Sequence, residues 1–304
     1  MHLFIIRFLV FSLFISVSAF GQDLDELIKA EQATKIDYTT ATFKGTRIIH
    51  GHSIESPAKG VLQSMFSHRF GTLEDPAYTF LGMNQASIRF GFDYGITDRL
   101  AVGVGRSSGL GGTTPPPTYD GYLKYKLLRQ STGTHSMPLS ISLLLASAID
   151  TVRWPSDGII RSASDRFAYT GQILIARKFS EAVSFQLMPT VLHRNLTSSS
   201  DQANTLYGMG IGGRIKLSKR TAITAEYYYN SATSLGYGYY NPVAIAYEVD
   251  TGGHIFQVML TNSTGLIESQ FLGTTTTNFF TGPRGMRIGF NFSRVFNVKK
   301  TRKI

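Results

Sequence analysis

Two histidines two positions apart, His50 and His52, have the residue type and spacing best suited to chemistry in this chain. On an extended segment they share one face with Lys44 and Ile48. A third imidazole from a neighbouring strand, with His68 the first candidate, would complete a Zn or Cu site or supply axial ligands to a haem. His254 and Glu55 are further candidates. The plain alternative is that these are hydrogen-bonded lining residues. Hydrolysis would need Ser or Asn beside His, as in His193-Arg-Asn-Leu-Thr-Ser-Ser-Ser200 or between His254 and Ser263. No G-x-S-x-G turn accompanies them, so no enzyme and no catalytic residue is expected. The runs Gly208-Met-Gly-Ile-Gly-Gly213 and Gly103-Val-Gly-Arg-Ser-Ser-Gly109 lack a Walker lysine and do not open a helix, so they read as strand glycines rather than phosphate loops. No cofactor is implied.

The charges that alternate with apolar residues are a different matter. Arg89, Asp93, Arg214, Lys216, Glu226 and Arg287 fall on the polar side of period-two segments and are the candidates for lining and selectivity of a lumen. Excess positive charge there would favour anions. A closed, salt-bridged interior that only stabilises the fold competes with that reading.

These side chains need strands to position them. In Ile88-Arg-Phe-Gly-Phe-Asp-Tyr94, the residues Ile88, Phe90, Phe92 and Tyr94 point one way and Arg89, Gly91 and Asp93 the other. The same alternation runs through Leu100–Gly105, Tyr207–Leu217, Thr221–Tyr229 and Met286–Arg294. Thirteen strand candidates result: 43–52, 61–70, 86–95, 98–107, 119–129, 138–149, 166–178, 183–194, 204–217, 221–230, 243–250, 253–263 and 285–296, with an extra candidate at Leu266–Leu272. Arg, Asp and Asn on the inner faces would be costly in a dry sandwich core but suit a barrel lumen. Tyr227-Tyr-Tyr229 and Tyr237-Gly-Tyr-Tyr240 suit an interfacial girdle. The expectation is all-β: a single transmembrane antiparallel up-and-down β-barrel of twelve strands, because single-chain barrels have even numbers, with ten to fourteen as the range. The Gly- and Pro-rich stretch Ser107–Thr118 reads as a loop, with an inward-folded constriction as one reading.

Composition agrees. Charged residues are only 16% of the 304, Gly numbers 30 and mean hydropathy is near zero, with no long apolar run after the first twenty residues. The absence of cysteine excludes disulfides, thiolate metal sites and cysteine nucleophiles. The net charge of +10 is scattered singly along strands, which argues against nucleic acid and for outer-membrane lipid and lipopolysaccharide as partners. Residues 1–21 read as a signal peptide, with an apolar run from Phe8 to Val17 and small residues before Gln22. Residues 22–42 read as a periplasmic linker carrying a short amphipathic helix, with Leu24, Leu27 and Ile28 on one face. Residues 43–296 read as the barrel, and 297–304 as a basic tail holding Lys299, Lys300, Arg302 and Lys303.

Several segments together are familiar: Phe43–Ser53, Gly91–Leu100, Tyr119–Lys126, Gly253–Gln257 and Ile288–Phe296. In this order they resemble the DUF5777 family of Bacteroidota outer-membrane β-barrels, and the resemblance covers nearly all of the chain after the signal peptide. It implies a barrel in the bacterial outer membrane and carries over no catalytic residue. Three readings follow: a narrow passive or ligand-specific channel with weak anion preference; a non-conducting structural barrel that holds a periplasmic protein partner through the N-terminal helix and basic tail; and a metal- or haem-binding barrel using His50, His52 and His68.

Overall fold

The computed structural model describes residues 36–110, 114–154, 156–197, 202–236 and 238–298. The signal peptide, the amphipathic helix and the basic tail from Lys299 onward lie outside the described residues. Fourteen strands are present among them: β1 (Ile36–Tyr38), β2 (Val61–Thr72), β3 (Ala86–Gly95), β4 (Leu100–Leu110), β5 (Thr118–Leu128), β6 (Ser131–Gly133), β7 (Ser140–Asp150), β8 (Phe167–Lys178), β9 (Val183–Arg194), β10 (Thr205–Lys216), β11 (Thr221–Asn230), β12 (Val243–Asp250), β13 (His254–Thr261) and β14 (Arg287–Asn297). Two of them, β1 and β6, form a small antiparallel sheet with Ile36 opposite Gly133. That sheet belongs to a separate compact unit, so part of the expected 22–42 linker is a strand.

The other twelve close into an antiparallel barrel in chain order, β14 pairing with β2 through Phe292 opposite Phe66. Closure leaves no sheet edge, which lipid would not tolerate. The alternation holds strand by strand. Along β3, Ser87, Arg89, Gly91 and Asp93 are buried, while Ile88, Phe90 and Phe92 are exposed to the surroundings. Leu145, Tyr207, Val258 and Tyr247 continue the outer apolar surface on other strands, as a lipid-facing wall requires. Connections alternate in length apart from the one after β5, which carries β6. The turns after β3, β8, β10 and β12 span three or four residues; those after β2, β7, β9, β11 and β13 are longer. Short turns face the periplasm in outer-membrane barrels, which puts the segment preceding β2 at the periplasmic end.

The first expected strand, 43–52, is not part of the wall. Its residues sit inside the barrel, where Phe43, Thr46, Ile48, Ile49, His50, His52 and Ser53 are sealed from solvent. The segment doubles back on itself, Ile48 N–H donating to Gly51 O and Ser53 N–H to Thr46 O. Its own backbone is thus partly paired across a tight turn, which no through-going strand permits. Leu266–Leu272 is likewise not a strand. It holds a helical turn, Glu268–Phe271, inside a connection between β13 and β14 that folds back into the barrel from the opposite end. Leu266, Ile267, Phe271 and Leu272 are four large apolar side chains in seven residues, and burying them draws this connection inward. It, rather than Ser107–Thr118, is the inward-folded loop.

The two segments meet a lumenal apolar core on the β8–β11 side, formed by Leu174, Met188, Leu192, Leu206 and Tyr228. Tyr228 lies across two glycines, one on the wall and one on the inserted segment. A Cβ on Gly210 would stand 2.4 Å from the Tyr228 ring, and one on Gly51 would stand 1.7 Å from its hydroxyl. Gly51→Leu should therefore leave a folded, heat-modifiable barrel while expelling the segment before β2. Limited proteolysis would then cut within residues 42–57 of the variant well before the parent is cut.

Candidate functional site in the plugged lumen

All six charged candidates project inward. Arg89, Asp93, Arg214, Glu226 and Arg287 are buried, and Lys216 is half-buried at the periplasmic rim. They do not form one cluster. Arg89 grips Asp120 with two bonds, Nε to Oδ1 at 2.9 Å and Nη2 to Oδ2 at 2.6 Å. Arg214 pairs with Glu248 at 2.8 Å. Asp93 accepts from the Thr46 hydroxyl at 2.5 Å. Arg287 donates to Phe70 O at 3.5 Å.

Glu226 has the richest environment. Its carboxylate accepts the successive backbone N–H groups of Ile49, His50 and Gly51 at 3.2, 2.8 and 3.3 Å, and Nδ1 of His50 at 2.7 Å. Three consecutive amides converging on one carboxylate form an anion-binding nest built from the inserted segment and filled by the wall. With Nδ1 as donor, Nε2 of His50 accepts from Arg69 Nε at 3.2 Å. Both ring nitrogens are thereby engaged.

The carbonyls of the segment are met in the same way. Lys124, fully buried on β5, donates to Ser53 O at 2.9 Å, Glu55 O at 2.6 Å and Thr46 O at 3.4 Å. Gln257 donates to Ile48 O and Asn291 to Ile49 O. Gln186 faces both ways, donating to His52 O and accepting from Ile54 N–H, each at 2.7 Å. Side chains on the wall thus take the place of a neighbouring strand.

The outer connection is tied down with the same chemistry. Gln270 donates to the hydroxyls of Ser107 and Thr118, and Asn262 to the carbonyls of Asn241 and Thr277. Arg194 Nη2 donates to Ser269 O at 3.0 Å and to Leu272 O. The two inserted segments then meet in the lumen. Arg47 lies 3.7 Å from Glu268, and the His50 ring lies 5.8 Å from that of Phe271.

The expected metal triad does not assemble. His50 and His52 point into the lumen, but His68 is on the outward face of β2, stacked on Phe290 at 5.3 Å. Strand alternation separates them: Arg69 points in, so its neighbour must point out. His254 also faces outward, stacked on Phe292, and Glu55 caps the Thr42 amide instead. Among the described residues no group of His, Asp and Glu forms a metal-ligand cluster. Asp120, Lys124 and Glu248 were missed as partners, although the alternation of β5 and β12 places each on the inward face. Arg47 and Glu268 could not be found that way, because neither sits on a strand.

Burial holds both imidazoles below the ordinary histidine value. Neighbouring cations reinforce this, Arg69 for His50 and Arg47 and Lys124 for His52. Burial pushes the Glu268 carboxyl up, against the pull of Arg47. Once released into water, a histidine titrates near ~6.5. The histidine contribution to the seal is therefore complete above that pH and is lost as pH falls below it. Glu268 acts in the opposite sense, favouring the seal when protonated, but it is one group against two. Protease access to residues 42–57 should accordingly rise as pH falls from about 7.5 to about 5.5, around that histidine value. His52→Gln should make the rise shallower, as read by cleavage rate at each pH.

The family model described as a membrane bound beta barrel domain, DUF5777, matches residues 43–296. No curated protein sequence matches significantly. Among solved structures, the KdgM porin aligns with a TM-score of 0.49 over 78% of this chain and 99% of its own, at 8% identity. The NanC porin aligns at 0.47, over 77% and 98%, at 8% identity. The Acinetobacter baumannii outer membrane protein Omp33 aligns at 0.41, over 79% and 100%, also at 8% identity. Such weak likenesses add nothing to what strand pairing and the family match establish.

Proposed function

We propose that this chain, which belongs to the DUF5777 family of membrane-bound β-barrels of the bacterial outer membrane, is a channel held shut by two of its own segments. The observation that carries this reading is the polar character of the seal. Residues 42–57 are held by hydrogen bonds donated by Lys124, Gln186, Gln257 and Asn291 and accepted by Glu226, together with burial of Phe43, Ile48, Ile49 and Ile54 in the apolar core. Each neutral bond of this kind is worth about 0.5–1.5 kcal/mol net and each bond to the charged Lys124 or Glu226 about 1.5–3 kcal/mol, because water can replace it. A seal of that kind can be exchanged for solvent without unfolding the wall, whose twelve strands stay paired.

With both segments withdrawn, the wall would present Arg69, Arg89, Lys124, Arg214, Lys216 and Arg287 against Asp93, Asp120, Glu226 and Glu248. That excess of positive charge supports a weak anion preference in the open barrel. The second reading is a barrel that never conducts and serves as a structural or partner-binding body. The ion pairs Arg89–Asp120 and Arg214–Glu248, each of which joins a strand to the next strand but one, favour it.

Planar-bilayer recording separates the two. The parent protein should be closed for most of the time. Lys124→Met keeps the length of the side chain but removes three charge-assisted bonds to the plug, each of about 1.5–3 kcal/mol. Its open probability should rise at least about tenfold, since ~1.4 kcal/mol already gives that factor. Reversal potentials under a KCl gradient should favour chloride, less so in Arg287→Gln. If Lys124→Met and Glu226→Gln barrels, both shown to be folded by heat-modifiable migration, stay silent, the non-conducting reading replaces this one.

A further inference from the structure

At the outer end of the barrel lies a cleft of about 720 Å³, within the range of small-molecule sites. Its lining combines Trp154, Arg161, Arg166 and Arg194 with Pro116 and Leu196, and its floor includes Ser269 and Gln270 of the inserted outer connection. The charges in it are unevenly matched. Arg161 is neutralised by Asp157, with bonds of 2.8 and 2.6 Å. The lining carboxylates Asp150 and Asp165 are turned to backbone amides of their own loops, Val152 and Ser162. Arg166 donates only to the carbonyls of Asp150 and Val152, and its guanidinium stacks on Trp154 at 3.9 Å. Arg194 donates to Ser269 O and Leu272 O. Neither Arg166 nor Arg194 has a carboxylate partner among the described residues.

Two guanidiniums that form no ion pair among the described residues, facing one partly enclosed cleft beside an indole and apolar side chains, define a ligand. We propose that this cleft binds a small organic oxyanion, a carboxylate or phosphate carried on a body with apolar faces such as a sugar ring. Arg166 and Arg194 take the anionic group through charge-assisted bonds, and the ring packs against Trp154, Pro116 and Leu196. Because Arg194 also staples the helical turn of the outer connection, an anion that draws its guanidinium away loosens that segment. This coupling rests on the plugged-channel reading; the binding site does not.

Trp154 is the only tryptophan in the chain, so intrinsic indole fluorescence reports on the cleft directly. Refolded barrel would be titrated with glucuronate, glucose 1-phosphate and glucose. A saturable change is expected with one or both anions and not with glucose, and the arm that responds identifies the oxyanion. Arg194→Gln should weaken that binding by about tenfold or more, while Arg194→Lys, which keeps the charge, should lose less. No saturable change with either anion, or an equal change with glucose, would overturn the site. Saturable anion binding together with silent Lys124→Met bilayers would overturn the plugged channel and leave the site standing. Conducting bilayers without anion binding would do the reverse.

Discussion

Everything inside this barrel depends on one requirement: the backbone of a chain segment that is neither helix nor wall strand must be satisfied where water is scarce. An unpaired buried amide or carbonyl costs about 1–3 kcal/mol, and the segment before β2 brings a succession of them into the lumen. The wall answers with side chains. Glu226 collects three consecutive N–H groups, Lys124 collects three carbonyls, and Gln186 serves one of each. In the closed barrel the inward polar residues of the strands therefore act as a mould for this segment.

The charged pairs have a related but separate part. Arg89–Asp120 and Arg214–Glu248 each join a strand to the next strand but one, so they tie the wall to itself and not to the plug. Buried pairs of this kind contribute little net stability over an apolar replacement, yet losing one partner is severe. Arg47–Glu268 differs in kind, because it joins two insertions and no wall strand. Its partners come from opposite ends of the barrel, so each insertion is seated partly by the other.

The strands were largely legible in the sequence because period-two alternation is a strong signal when one face meets lipid. β3, β9, β11 and β12 agree with their expected limits, and the other barrel strands deviate by one to three residues at either end. The segment 43–52 misled because alternation reports which side chains share a face and not whether a neighbouring strand lies alongside. Gly45 and Gly51 were the available hint that the chain turns there. Along β8 and β9 the inward face mixes Leu174, Met188 and Leu192 with Gln172, Gln186 and Thr190, so the lumenal core was invisible to a search for polar inner faces. Among the candidate residues, the inward placement of Arg89, Asp93, Arg214, Lys216, Glu226 and Arg287 followed from alternation alone. Their partners across the lumen did not, since those contacts span as many as 177 positions, as between Glu226 and Ile49. His68 failed as a ligand for a reason the sequence contained, its even spacing from the lipid-facing Phe66 and Phe70.

The place of the inserted segment in the chain has a consequence for assembly. Residues 42–57 precede every barrel strand, yet they are held by Glu226, Gln257 and Asn291, which lie on β11, β13 and β14. The cavity that receives them does not exist until β14 has found β2. A part made before any wall strand is thus among the last to be seated, and until then Phe43, Ile48, Ile49 and Ile54 stay uncovered. Such sequence-distant contacts are slow to form. A barrel of this design exists, for a time, as a closed wall with its own stopper still outside.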